Sequence, residues 1–132
     1  MAASTTDGPG ALEGAWAPVA VSVAGQSLEP AELRVRYLLI EGEGYRIIDR
    51  SNRVVDSGRY TLHAARTPAA IDIVGEQGPY AGRRLCAVYQ LEGDELTLCY
   101  DVEGGERPAS FAPRRDRAQL LITYERRAIG FA

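Results

Sequence analysis

The side chains that most often carry out catalysis are few in this chain. Its 132 residues contain one histidine, His63, two cysteines, Cys86 and Cys99, and fifteen basic residues that are all arginine. The lack of lysine excludes Schiff-base chemistry and a lysine general base. One histidine and two cysteines are too few ligands for a zinc site, so we expect neither a metal nor a cofactor. His63 ends a strand-like run and is predicted to be a solvated loop residue.

The two cysteines are expected to be reduced thiols. If Gly93 and Asp94 form a two-residue turn, Cys86 lies opposite Asp101 and only diagonal to Cys99. A disulfide across that diagonal would be strained.

The seven tyrosine hydroxyls are the other polar groups suited to chemistry. A tyrosine both donates and accepts hydrogen bonds, while its ring packs as an apolar surface. Tyrosines that converge on one pocket favour binding of an apolar molecule with a few polar groups, or a reaction that needs mainly orientation of its substrate. Whether they converge depends on the elements that carry them.

Short strand-like runs recur every 10 to 15 residues, a spacing that is typical of an all-β sandwich or barrel. Several links between them have hairpin length, so neighbours in sequence should pair in an up-and-down order. The sequence predicts an eight-stranded up-and-down antiparallel β-barrel, which either fills with side chains or encloses one small ligand. The predicted strands are residues 16–23, 34–40, 45–49, 54–63, 70–74, 85–91, 95–100 and 119–126.

The other segments are predicted from their composition. One short helix is predicted over residues 27–33, where Ser27 can cap and Pro30 can stand in the first turn. The links 75–83 and 101–118 are rich in glycine, proline and charge, as surface loops are. Residues 1–11 are expected to be a disordered N-terminal tail and residues 12–132 the barrel. The first ten residues do not look like a secretory signal, and no apolar run approaches the ~20 residues of a membrane helix, so a cytoplasmic protein is expected.

Four blocks of sequence carry a resemblance to a known family. They are Leu-Glu-Gly-Ala-Trp at 12–16, Pro-Ala-Ala-Ile-Asp-Ile at 68–73, the tyrosine-rich stretch 89–100 and Gly-Gly-Glu-Arg-Pro-Ala-Ser-Phe at 104–111. Together they resemble a family of small lipocalin-like (calycin) domains, abundant in planctomycetes, with no assigned activity. The resemblance implies that Trp16 closes one barrel end beneath an arginine of the last strand, Arg126 or Arg127. Such a cation–π contact is structural.

Side chains alternate along a strand, so each predicted strand has an inward and an outward face. Arg36 and Asp49 are predicted to lie opposite one another and to form an ion pair at the barrel rim. Asp72 is predicted to lie on the outer face. The inward face is aliphatic with five tyrosines, whose hydroxyls either satisfy one another and the rim backbone or converge on a pocket. The residues predicted to form the ligand-binding interior are Leu38, Ile40, Tyr45, Tyr60, Ile73, Tyr89, Leu98, Tyr100, Ile122 and Tyr124.

The outer surface gives weaker predictions about partners. Val35, Tyr37, Leu39 and Ile48 form an apolar outer face, from which we expect a homodimer. With a net charge of −3, the chain lacks the broad basic surface that nucleic acids require, and the basic run at 114–117 is expected to be a solvated loop. Neither a nucleic acid nor a membrane is expected as a partner.

Three functions remain open on the sequence alone. The first is binding of a small, mostly apolar molecule inside the barrel, which rests on fold-level analogy and on the tyrosines. The second is a cofactor-free biosynthetic enzyme, a cyclase or isomerase, with the barrel interior as its active site. The third is a filled barrel that acts as a protein-interaction module through its loops. No catalytic residue is assigned.

Overall fold

A computed structural model of the protein describes residues 11–112 and 114–128, and these form one closed antiparallel barrel. Each strand pairs with the next barrel strand along the chain, and the first pairs with the last, which closes the sheet. The predicted eight-stranded up-and-down barrel is therefore confirmed. A ninth strand, β2, only extends the end of β1 as a hairpin arm. The strands are β1 (Gly14–Val23), β2 (Gln26–Leu28), β3 (Tyr37–Glu41), β4 (Gly44–Ile48), β5 (Val54–His63), β6 (Ala70–Gln77), β7 (Arg84–Glu92), β8 (Glu95–Asp101) and β9 (Gln119–Arg127).

The predicted helix is shorter than expected. Residues 27–33 split into part of β2 and a single 3-10 turn over Pro30–Glu32. Glu29 precedes this turn, and its backbone N–H donates to the Glu32 carboxylate at 2.8 Å. Leu33 already has an extended backbone, which ends the turn after three residues. None of the helical segments in the described ranges has the length and apolarity to cross a bilayer.

The β7–β8 hairpin sets the register of the interior. Its turn is Gly93-Asp94, and Gly93 adopts the positive φ of 59° that such a tight turn requires. Tyr89 consequently lies opposite Leu98, as predicted. Cys86 and Cys99 are both free thiols.

One end of the barrel is closed by a cross-strand pair of Trp16 and Arg126. Trp16 is fully buried, and its indole N–H donates to the Leu12 carbonyl at 2.9 Å. The Arg126 guanidinium carbon lies 4.3 Å from the centroid of the Trp16 ring. Arg126 also donates to the Glu13 carbonyl, whereas Arg127, the other candidate, pairs with the exposed Glu125.

Backbone geometry and steric contacts explain why the Gly14-Ala15-Trp16 motif begins with glycine. Gly14 has a φ of 137°, which disfavours any side chain, and a Cβ there would lie 2.8 Å from an Arg126 nitrogen. A side chain at residue 14 would therefore strain the backbone and displace the Arg126 guanidinium group. The motif belongs to the closure of the barrel.

The long link 102–118 is fixed to the outer wall by two buried aspartates. Asp101 accepts hydrogen bonds from Arg117 at 2.8 and 3.2 Å. Asp72, on the outer face as predicted but only 7% exposed at its side chain, accepts from Arg107 and Arg84. The link covers this part of the wall, so these aspartates are buried outside the barrel.

Two expectations about surface side chains are wrong. His63 is not a free loop residue, since its Nε2 lies 2.9 Å from an Asp72 oxygen. Arg36 bonds to Asn52 at 2.9 Å instead of Asp49, and Asp49 accepts from backbone N–H groups of its own turn. The basic run 114–117 is a mostly exposed turn, as expected, although Arg117 is also held by Asp101.

The apolar outer face is partly covered. Val35, Tyr37, Leu39 and Ile48 are half-buried, and Val35 packs against the core. The homodimer expected from these residues stays a prediction.

The Asp72 cluster makes stability depend on pH. Burial opposes ionisation of Asp72, but hydrogen bonds from Arg107, Arg84 and His63 outweigh it and hold the pKa far below its usual value. The carboxylate therefore stabilises the fold fully above the unfolded-state pKa of about 3.9, and this stabilisation is lost as the pH falls towards the folded-state pKa. Asp72→Asn should lower the free energy of unfolding by roughly 3 kcal/mol at pH 7, since it leaves Arg107 unpaired.

Urea denaturation between pH 2.5 and 7 measures this. The difference in the free energy of unfolding between wild type and Asp72→Asn should narrow below pH ~4, where Asp72 of the unfolded state begins to take up a proton while the folded state keeps its charge. Asp116→Asn is the matched control, because its exposed pair with Arg114 is screened by solvent and should contribute little to stability. If the difference in the free energy of unfolding stays constant from pH 2.5 to 7, the proposed role of the Asp72 carboxylate is wrong.

Candidate functional site

The barrel interior contains a cavity of about 70 Å³. Aliphatic side chains make up most of its wall, and tyrosines and one aspartate supply its polar groups. Of the ten residues predicted for the interior, Tyr89 and Ile122 are buried in the core but do not line the cavity. The lining residues are Leu12, Leu38, Ile40, Tyr45, Ile47, Asp56, Tyr60, Ile71, Ile73, Tyr80, Leu85, Leu96, Leu98, Tyr100 and Tyr124.

The two ends of the cavity differ. Towards the Trp16 end, Leu12 is fully buried, and the Tyr60 hydroxyl donates to the Gly42 carbonyl at 2.6 Å. Towards the other end, the wall includes Tyr80, which belongs to the link between β6 and β7. The link folds back onto its own strand, because the Gly82 N–H donates to the Gly75 carbonyl at 2.9 Å. A short loop therefore borders the cavity opposite the closed end.

Two facing glycines make room for the cavity tyrosines. Gly58 of β5 pairs with Gly75 of β6. A Cβ on Gly58 would lie 2.9 Å from the Tyr45 hydroxyl oxygen, and a Cβ on Gly75 would lie 2.1 Å from the Tyr80 carbonyl oxygen. Any larger residue would push out either the Tyr45 ring or the loop that carries Tyr80. The glycines thus position both tyrosines.

Among the described residues, Asp56 is the one carboxylate in the cavity wall, and the sequence analysis missed it. Asp56 lies on β5, opposite Ile47 of β4. It comes two residues before Gly58 and four before Tyr60, so all three lie on the same face of the strand. Its Oδ1 is buried and has no hydrogen-bond partner among the described residues. Burial raises the pKa of Asp56, although hydrogen bonds from the Ser57 backbone and the Tyr45 hydroxyl partly offset this.

The cavity tyrosines are neutral, and the charge of Asp56 contributes to this. Burial raises the pKa of Tyr45 and of Tyr124 well above the usual value, and the nearby Asp56 carboxylate raises both further. Burial and the same carboxylate also raise the pKa of Tyr80 and Tyr100. Asp56 therefore acts on groups all around the cavity, and its wall, as far as the chain is described, contains no arginine to balance that charge.

This arrangement is suited to holding an apolar body with one polar contact. Hydrocarbon walls gain from contact with an apolar ligand, and a few convergent polar groups fix its orientation. In the described part of the chain, no three His, Cys, Asp or Glu side chains come together as a group that could hold a metal ion. The Cys99 thiol is buried elsewhere, and burial raises its pKa to about 11, so it is a poor nucleophile.

Comparison with known proteins gives the chain no relative. No family model, no curated protein sequence and no solved structure matches it. The geometry of the barrel interior is therefore the basis for a functional proposal.

The glycine that faces Tyr45 can be tested by substitution. Gly58→Ala should lower the free energy of unfolding by roughly 3 kcal/mol or more, since the added Cβ would lie 2.1 Å from the Val74 carbonyl oxygen. Gly44→Ala is the control, because a Cβ there meets only ordinary contacts from 3.4 Å outwards and should change stability by less than about 1 kcal/mol. Urea denaturation compares the two variants, and equal losses of stability would contradict the proposed crowding around Gly58.

Proposed function

We propose that this protein binds a small, mostly apolar molecule inside its barrel. The observation that carries the proposal is the cavity of about 70 Å³, which combines an aliphatic wall with tyrosine hydroxyls and the carboxylate of Asp56. Ligand sites commonly have this composition, an apolar wall with a few placed polar groups. The closed eight-stranded barrel also fits a lipocalin-like fold, and barrels of this size can enclose one small ligand.

The volume limits what the cavity can hold. One water needs about 10–15 Å³ of such space, so the cavity offers about five to seven water-sized positions. It is about half the size of an engineered apolar cavity of roughly 150 Å³ that binds benzene, so a short branched chain or part of a small ring fits inside. A longer molecule would insert one end past Tyr80 and leave the rest outside.

The same observation weighs against a filled barrel that serves only as an interaction module. Such a barrel needs no interior space, and native cores contain few voids larger than a water molecule. Apolar packing around Asp56 would also serve stability better than a buried carboxylate oxygen without a partner.

One observation favours the cofactor-free enzyme as a second candidate. Asp56 has a raised pKa and lies in a cavity, which are properties of acid–base residues in active sites. However, it is the single carboxylate in the described wall, and burial raises the pKa of tyrosines beside it, such as Tyr45 and Tyr124, which makes them poor proton donors at neutral pH. Binding requires nothing more than these groups, and we place it first.

A substitution that fills the cavity should abolish binding. Ile73 and Val74 are neighbours on β6, but Ile73 lines the cavity, while Val74 is 43% exposed. In wild type, cyclopentane and cyclopentanol should shift the backbone amide signals of cavity residues in a saturable ¹H–¹⁵N NMR titration. Ile73→Phe should remove these shifts, at a cost in stability of about 1–3 kcal/mol from overpacking.

Val74→Phe is the matched control and should bind both probes as wild type does. Amide dispersion in the unliganded spectra checks that both variants are folded. If neither probe gives a saturable shift in wild type, or if Ile73→Phe binds unchanged, the proposed function is wrong.

A further inference from the structure

We infer that the ligand carries one protonated amine on its apolar body, and that the ammonium group pairs with the Asp56 carboxylate inside the barrel. This inference rests on the proposed function and assigns the chemical class of the ligand. It follows from the free oxygen, from the charges around it and from the aromatic faces beside it.

The buried Oδ1 atom of Asp56 lacks a hydrogen-bond donor. Oδ1 has lost its contact with water and has no hydrogen-bond partner among the described residues. Leaving a buried acceptor unpaired is costly, and the cost is greater for a charged group. An ammonium group of a ligand beside the Asp56 carboxylate would offset this cost, because it brings three donors and an opposite charge.

No described arginine near the site is placed to fulfil this role. Arg59, next to Gly58, faces away from the cavity and pairs with Glu76 at 3.1 Å. Arg83 lies against the Tyr80 ring, 5.7 Å from its centroid, and donates to the Glu103 carbonyl at 2.9 Å. Each of these cations is engaged by other groups, and neither lines the cavity. The negative charge of Asp56 is thus left for the ligand.

The tyrosines favour the same class of ligand. The faces of aromatic rings attract cations, and the attraction is stronger where water is excluded. Tyr45, Tyr80, Tyr100 and Tyr124 all line the cavity that contains Asp56. Their hydroxyls remain neutral, so they do not add a competing charge. An anionic ligand would meet the Asp56 carboxylate without a compensating cation in the described wall.

The test compares four probes that share one ring: cyclopentylamine, cyclopentanol, methylcyclopentane and cyclopentanecarboxylate. NMR titration at pH 7 gives a dissociation constant for each. The amine should bind at least about tenfold more tightly than methylcyclopentane, as expected for a hydrogen bond to a charged group. The affinity of cyclopentanol should lie between these two, and cyclopentanecarboxylate should not bind measurably.

Asp56→Asn keeps the shape of the side chain and removes its charge. We expect it to weaken binding of the amine about tenfold and to leave methylcyclopentane unchanged. Asp116→Asn, which removes an exposed charge paired with Arg114, is the matched control and should bind all probes as wild type does. The unchanged affinity for methylcyclopentane also shows that the Asp56 variant keeps a folded cavity.

The outcomes separate this inference from the proposed function. If methylcyclopentane binds and the amine binds no more tightly, or if Asp56→Asn leaves the amine affinity unchanged, the amine inference is wrong and the binding function stands. If the carboxylate binds best, the charge argument is reversed and the inference is also wrong. If none of the four probes binds, both proposals fail.

Discussion

The pairing of β1 with β9 determines the character of everything inside this protein. It joins the first strand to the last from Ala15 opposite Arg127 to Val23 opposite Leu120, and the sheet has no open edge between them. Trp16 and Arg126 lie opposite one another at the start of this ladder, where the indole is fully buried under the guanidinium group. Because the sheet closes there, the inward faces of eight strands enclose one space, and groups such as Asp56 are removed from bulk water.

The interior departs from what stability alone would favour. A barrel of this size can fill with aliphatic side chains, and close packing is the usual state of a protein core. Here Gly58 and Gly75 have no side chains to fill the core, and Tyr45 and Tyr80 lie against them instead. In addition, the Oδ1 atom of Asp56 is buried without a hydrogen-bond partner among the described residues. The outer wall follows the opposite rule, since Asp72 and Asp101 are each paired with arginines of the 102–118 link. This contrast between the paired outer carboxylates and the unpaired inner Oδ1 of Asp56 is why we take the cavity as the candidate functional site.

Local rules predicted the barrel and most of its lining, because strand alternation and two-residue turns act over a few residues. The same alternation, followed back along β5 from Tyr60 through Gly58, would have placed Asp56 inside. Tyr80 could not be found in this way, since a loop has no periodicity to follow. The link of Arg107 to Asp72 was equally hidden, because it joins residues 35 positions apart through the path of a long loop. Sequence patterns thus describe the walls of the site well, but they do not describe the loops that border or cover the barrel.

The central claim is that the inside of this barrel is space that an apolar molecule can enter. Xenon enters apolar cavities without needing any polar contact, so a crystal of the protein pressurised with xenon tests the claim independently of ligand chemistry. We predict anomalous density for xenon inside the barrel, in contact with Leu38, Leu98 and Tyr100. A well-ordered crystal in which side chains fill this space, and in which xenon is absent from the interior, would contradict the account.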